Sequence, residues 1–134
     1  MILLDTHVFV HYATGDRKLG KRARSAIDHA LGHDELFVCA LTFWEISMLI
    51  AKRRLTLETT VPGLRAGALR QGLQEISVDG EIAIAAGELP PIHGDPIDRM
   101  LVATALVRGI TLMTADDVLL QWQLRGYRVQ DSTA

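Results

Sequence analysis

Asp5 closes the apolar run Ile2-Leu3-Leu4, and Glu45 lies within a second apolar segment. Asp95 and Asp98 open a long helical pattern at Pro96, and Asp116 stands just past a third apolar run at 110–113. An acid that ends an apolar run marks a strand leaving a core, and in open α/β sheets ligands collect beyond the carboxyl ends of the strands. Carboxylates gathered in one cleft repel one another and raise each other's pKa, which is costly unless a cation neutralises them. Oxygen donors without cysteine, and without histidine at convincing ligand spacing, suit Mg2+ or Mn2+ better than Zn2+. Such ions beside a phosphate activate water and stabilise a leaving oxygen, so the chemistry to expect is phosphodiester hydrolysis.

Each acid also has a purely structural explanation. Asp5 could cap a short helix that follows it. Thr42 and Glu45 have the Thr-x-x-Glu form of a capping box, which by itself accounts for Glu45. Asp95 before Pro96 reads as an N-cap, and Asp98 as a partner of that cap or of Arg99. Asp116 and Asp117 compete to begin the last helix and to supply the fourth carboxylate. The set, more than any one member, points to chemistry.

Hydrophobic period and punctuation indicate the elements that must position these acids. Short strands are expected at 2–4, 36–40, 75–78 and 110–113, with a weak closing strand at 127–129. Helices are expected after Asp5 through Tyr12, over 19–31 with Gly32 ending it, from Thr42 to about Arg53, and from Thr60 onward. Three more follow at 79–89, from Asp95-Pro96 to Arg108 with Gly109 as C-terminal cap, and at 116–124. Strands alternating with helices imply a mainly parallel sheet covered on both faces, a three-layer α/β/α domain.

The 134 residues are 49% hydrophobic and 22% charged, enough for one core, so a single domain over 1–134 is expected. Apolar stretches are too short to cross a bilayer, and the opening residues lack the basic and apolar regions of an export signal. The lone Cys39 sits in an apolar run, has no internal disulfide partner and suits a reducing compartment, so the cytoplasm is expected. A net charge of −2 excludes a protein held to nucleic acid by global charge. Eight of the fourteen basic residues nevertheless fall in two short segments, 17–24 and 52–54, where a solvated helix face explains them as well as phosphate contacts do.

The chain resembles the PIN-domain nucleases, and within them the VapC-type toxins of bacterial toxin–antitoxin pairs. Ile2-Leu3-Leu4-Asp5-Thr6-His7 looks like the family's first acidic motif, and Thr42-Phe43-Trp44-Glu45-Ile46 like its second. His93-Gly94-Asp95-Pro96-Ile97-Asp98-Arg99-Met100-Leu101 looks like the third, and Leu112-Met113-Thr114-Ala115-Asp116 like the fourth. The resemblance spans the chain and implies that Asp5, Glu45, Asp98 and Asp116 carry a metal site, with Thr6 and Thr114 assisting by hydrogen bonding and Asp95 behind them. Asp117 stays open as an alternative to Asp116. It further implies RNA as substrate, Mg2+ or Mn2+ as cofactor, a homodimer, and a small antitoxin that blocks the site.

Two other readings compete. Phosphatases of α/β fold also start with an Asp after a hydrophobic strand, but those resembling haloacid dehalogenases need a second Asp where His7 stands, and a downstream Lys, whereas no Lys follows Lys52. A PIN-like scaffold that binds RNA or a partner with weak or no catalysis would carry the same motifs. His7 and His11, four apart, could share a helical face but lack a third zinc ligand, and read as ordinary histidines. His93 could touch substrate, Trp44 is expected to pack beside the Glu45 helix, and Trp122 and Tyr127 could stack on bases or cover the sheet edge, with core or dimer packing the better reading.

Overall fold

The computed structural model describes residues 1–91 and 95–134, so His93 and Gly94 of the third motif lie outside the described residues. The chain begins β1 (Ile2–Leu4), α1 (Thr6–Thr14), α2 (Lys21–Leu31), β2 (Leu36–Cys39), α3 (Leu41–Ala51) and α4 (Val61–Gln71). It continues β3 (Gln74–Ile76), α5 (Gly80–Glu88), α6 (Pro96–Arg108), β4 (Thr111–Thr114), α7 (Asp117–Gln121) and β5 (Val129–Asp131). The strands form one sheet in the order β3-β2-β1-β4-β5, with every pairing parallel. Strand order reverses between β1 and β4, and the crevice beyond their carboxyl ends is where such sheets bind ligands.

Because β1 is central, both of its faces are buried, which is why its three residues are all apolar. Ile2 and Leu4 face one core with Val8, Phe9, Ile27, Phe43 and Ile46, while Leu3 faces the other with Ile82, Leu101, Val102, Leu112 and Leu119. The expected three layers follow: α1 to α4 cover one face and α5 to α7 the other. Phe9 and Phe43 meet edge to face at 5.7 Å and lock α1 to α3. Arg65 grips Glu75 with two bonds of 2.6 and 2.9 Å, tying α4 to β3.

Several ends fall elsewhere than the sequence pattern suggests. The helix read from residue 19 starts at Lys21 with Gly20 as its N-cap, a residue with no side chain to cap it. The Ala134 carbonyl takes over that role, accepting the N–H groups of Arg22 and Ala23 at 3.0 and 3.3 Å. The last helix stops at Gln121, not 124, and the closing strand lies at Val129–Asp131, not 127–129. Tyr127 is instead turned inward, its hydroxyl donating to the Leu119 carbonyl and its ring against Trp122. Arg99 donates to the carbonyls of Ala86, Leu89 and Pro90, satisfying the C-terminal end of α5.

Candidate active site

A cavity of about 300 Å3 opens at the carboxyl ends of the strands, lined by Asp5, Glu45, Asp95, Asp98 and Asp116 together with Thr6 and His7. Asp5 arrives directly from β1, Glu45 from α3 after β2, Asp98 from the first turn of α6, and Asp116 from the turn after β4. All the acids singled out in the sequence are thus brought to one place except Asp117, which is exposed and absent from the lining. A larger cavity of about 410 Å3 lies among α1, α2 and α4, but Asp28 is its one acid among the described lining residues and already accepts from Tyr12. The chemistry of the donors, more than size, marks the smaller cavity.

The capping explanation and the functional one turn out to be compatible. Asp5 accepts the Val8 N–H at 3.1 Å, Asp95 that of Ile97 at 2.9 Å, and Asp116 those of Val118 and Leu119 at 2.9 and 3.1 Å. Each is the N-cap of its helix, so the amino ends of α1, α6 and α7 converge on one cavity. The partial positive charge of those ends offsets part of the carboxylate repulsion.

Asp5 is held firmly. It is 7% exposed, and its second oxygen, Oδ2, accepts the Thr114 hydroxyl at 2.5 Å. The same Thr114 oxygen accepts the Asp116 N–H at 3.1 Å, so one hydroxyl sets two of the acids relative to each other. Thr114 is buried on β4 next to β1, where sheet register fixes its height.

The capping box expected of Thr42 and Glu45 is absent. The helix begins at Leu41, its N-cap Ala40 is already in the right-handed helical region, and no side chain caps it. A capping box needs an extended N-cap residue, and β2 passes into α3 too abruptly to provide one. Thr42 is instead fully buried and shares a 3.1 Å hydrogen bond with the Thr6 hydroxyl. Glu45, released from local capping, lies on the cavity wall.

Sequence reasoning missed three contributors. Thr42 braces α3 against α1, which no local pattern shows. Tyr127 stands close enough that burial first, then the negative charges of Asp116, Asp5 and Asp98, push its phenol well above the usual tyrosine range. His7 lines the cavity, while His11 is partly buried and burial lowers its pKa. The signal for His7 was its place two residues after Asp5, in the first turn of a helix that starts at the cavity. Trp44, expected to pack, is 55% exposed.

Among the described residues, no three His, Cys, Asp or Glu side chains close into a group that holds a metal ion directly. The donor set fits a hydrated hard cation, since Mg2+ keeps several waters and is bound through one or two carboxylates.

Residues 2–122 match the PIN domain. The chain belongs to the PIN-domain family. This PIN domain is 33% identical over 117 residues to the ribonuclease VapC22 of Mycobacterium tuberculosis, a match covering 86% of each chain. Its fold is like that in the crystal structure of VapBC2 from Rickettsia felis bound to a promoter DNA fragment, with a TM-score of 0.69, 13% identity and 98% of each chain covered. A toxin–antitoxin complex from Klebsiella pneumoniae gives 0.62 at 17% identity over 95% of each chain. FitAB bound to the IR36 DNA fragment gives 0.65 at 19% identity, covering 100% of this chain and 96% of that one. The family read from the acidic motifs is the one these comparisons show.

Proposed function

We propose that this PIN domain is a metal-dependent endoribonuclease, the toxin of a VapBC-type pair, that hydrolyses RNA phosphodiester bonds. The observation that carries the reading is the one cavity shared by acids from four separate stretches of the chain. Ribonuclease VapC22, the 33% identical relative, supports RNA as substrate. The Rickettsia felis and Klebsiella pneumoniae complexes support a small antitoxin as partner. The exposed Trp44 and Ile84, at 55% and 63%, suit apolar surface covered in a homodimer. No helix of the described residues is long and apolar enough to cross a membrane.

In this reading Asp5, Glu45, Asp98 and Asp116 would hold a hydrated Mg2+ or Mn2+, in part through its waters, and Asp95 and Thr114 keep the set in place. The ion, when bound, supplies Lewis acidity to the phosphate and lowers the pKa of the attacking water. Among the described residues nothing donates to the Glu45 carboxylate, so its oxygens are available to take the proton that the water releases. The spread of donors over the β1–α1 junction, α3, α6 and the β4–α7 turn means that the site exists only when the sheet is assembled.

The test is cleavage of a panel of end-labelled structured RNAs with Mg2+, Mn2+ or excess EDTA, beside Asp98→Asn, with Mn2+-dependent thermal stabilisation measured on both proteins. Metal-dependent cutting by the wild type, lost in Asp98→Asn, is the expected result. A folded wild type that neither cuts nor is stabilised by metal would return the protein to the binding-scaffold reading.

A further inference from the structure

We propose that His7 is a substrate-binding residue, its imidazole N–H donating to a non-bridging phosphate oxygen of the RNA strand in the acidic cavity. The inference rests on the nuclease reading for the identity of the strand, and on geometry for the residue. A phosphodiester backbone entering a cavity walled by Asp5, Glu45, Asp95, Asp98 and Asp116 meets like charge on most sides. It needs hydrogen-bond donors there, and anionic oxygens make the stronger bonds. His7 is the one side chain in the described lining that carries an N–H. The other side-chain donor, the Thr6 hydroxyl, is already engaged with Thr42.

Position and freedom agree with that role. His7 is the second residue of α1, exposed between buried Thr6 and buried Val8, so the helix turns its ring away from the core and toward the cavity mouth. Among the described residues it makes no hydrogen bond within the protein, so binding breaks none. A neutral imidazole always keeps one N–H, which makes the contact independent of a charged histidine. The other described histidines are placed elsewhere: His11 is partly buried and outside the described lining, while His29 and His33 stack on each other with ring centroids 4.2 Å apart and His33 is bonded to the His29 carbonyl.

The experiment compares wild type, His7→Gln, which keeps an N–H donor, and His7→Phe, which keeps a ring without one. Cleavage kinetics are measured with Mg2+, and binding of a fluorescent single-stranded oligoribonucleotide with Ca2+ in its place. His7→Phe is expected to bind about tenfold more weakly and to lose kcat/KM by a similar factor, mostly through KM, with His7→Gln recovering most of the loss. Imidazole 15N resonances of the wild type, followed as the same oligoribonucleotide is added, give a readout needing no variant to fold. Unmoved His7 resonances, or His7→Phe binding and cutting like wild type, would overturn the role of His7 and leave the nuclease reading intact. A wild type that binds RNA through His7 without cutting it would instead sink the nuclease reading alone, and one that does neither sinks both.

Discussion

The Thr42 hydroxyl lies 3.1 Å from that of Thr6, a buried bond joining the first turns of α1 and α3, the two helices that follow Asp5 and carry Glu45. Thr42→Val keeps the shape but leaves the Thr6 hydroxyl buried without its partner, a loss of about 1–3 kcal/mol. Replacing both residues by Val removes the orphan and costs less than the two single changes added together. Urea unfolding of the four proteins in this cycle measures the coupling. Strict additivity would show that the two hydroxyls do not depend on each other.

Thr114 joins two of the acids through one oxygen, donating to Asp5 and accepting from the Asp116 N–H. Thr114→Val removes a charge-assisted bond, lowering stability by about 1.5–3 kcal/mol. Misplacement of Asp5 and Asp116 should slow RNA cleavage roughly 10- to 100-fold. Thr114→Ser retains the hydroxyl and should restore most of both losses. A valine variant that is destabilised yet cuts at the wild-type rate would detach Thr114 from the site.

Gly20 is irreplaceable for a steric reason. A Cβ at this position would lie 2.2 Å from the Ala134 carbonyl oxygen, the group that caps α2. Gly20→Ala should therefore expel residues 132–134 and remove the cap, costing about 0.5–2 kcal/mol. Deleting the same three residues should cost a similar amount, and combining both changes should add little. Thermal melts of the three variants decide it, and a Gly20→Ala protein as stable as wild type would refute the argument.

Acid stability should depend in part on Glu75. The bidentate bond from Arg65 is the main cause that holds its carboxyl below the ordinary value of 4.5 in the folded protein. A folded pKa below the unfolded one gives stability that is present above about pH 4.5 and lost as the pH falls through the folded value. Glu75→Gln should accordingly melt below wild type at pH 7, with the gap closing as the solution is acidified past pH 4.5. A gap that is constant with pH would assign the loss to packing.

The elements were largely legible because their signals are local. Apolar runs broken by an acid, Pro96 opening a helix, and Gly109 in the left-handed conformation closing one are statements about neighbours in the chain. The acidic motifs were legible for the same reason, each being short and contiguous. Misreadings arose where a distant partner overrode the local pattern. Thr42 abandons a capping box for Thr6, and Tyr127 leaves the strand for Leu119.

By itself the sequence determined the parallel α/β class, the order of most elements and the acids worth asking about, because hydrophobic period and helix punctuation are carried by residues close together in the chain. The tertiary structure alone decided that Asp5, Asp95 and Asp116 cap their helices and face one cavity at the same time, that Asp116 stands in it where Asp117 does not, and that His7 joins them. Those facts depend on sheet order and register, which bring the amino ends of α1, α6 and α7 together across a hundred residues of chain, and no local spacing encodes such a meeting.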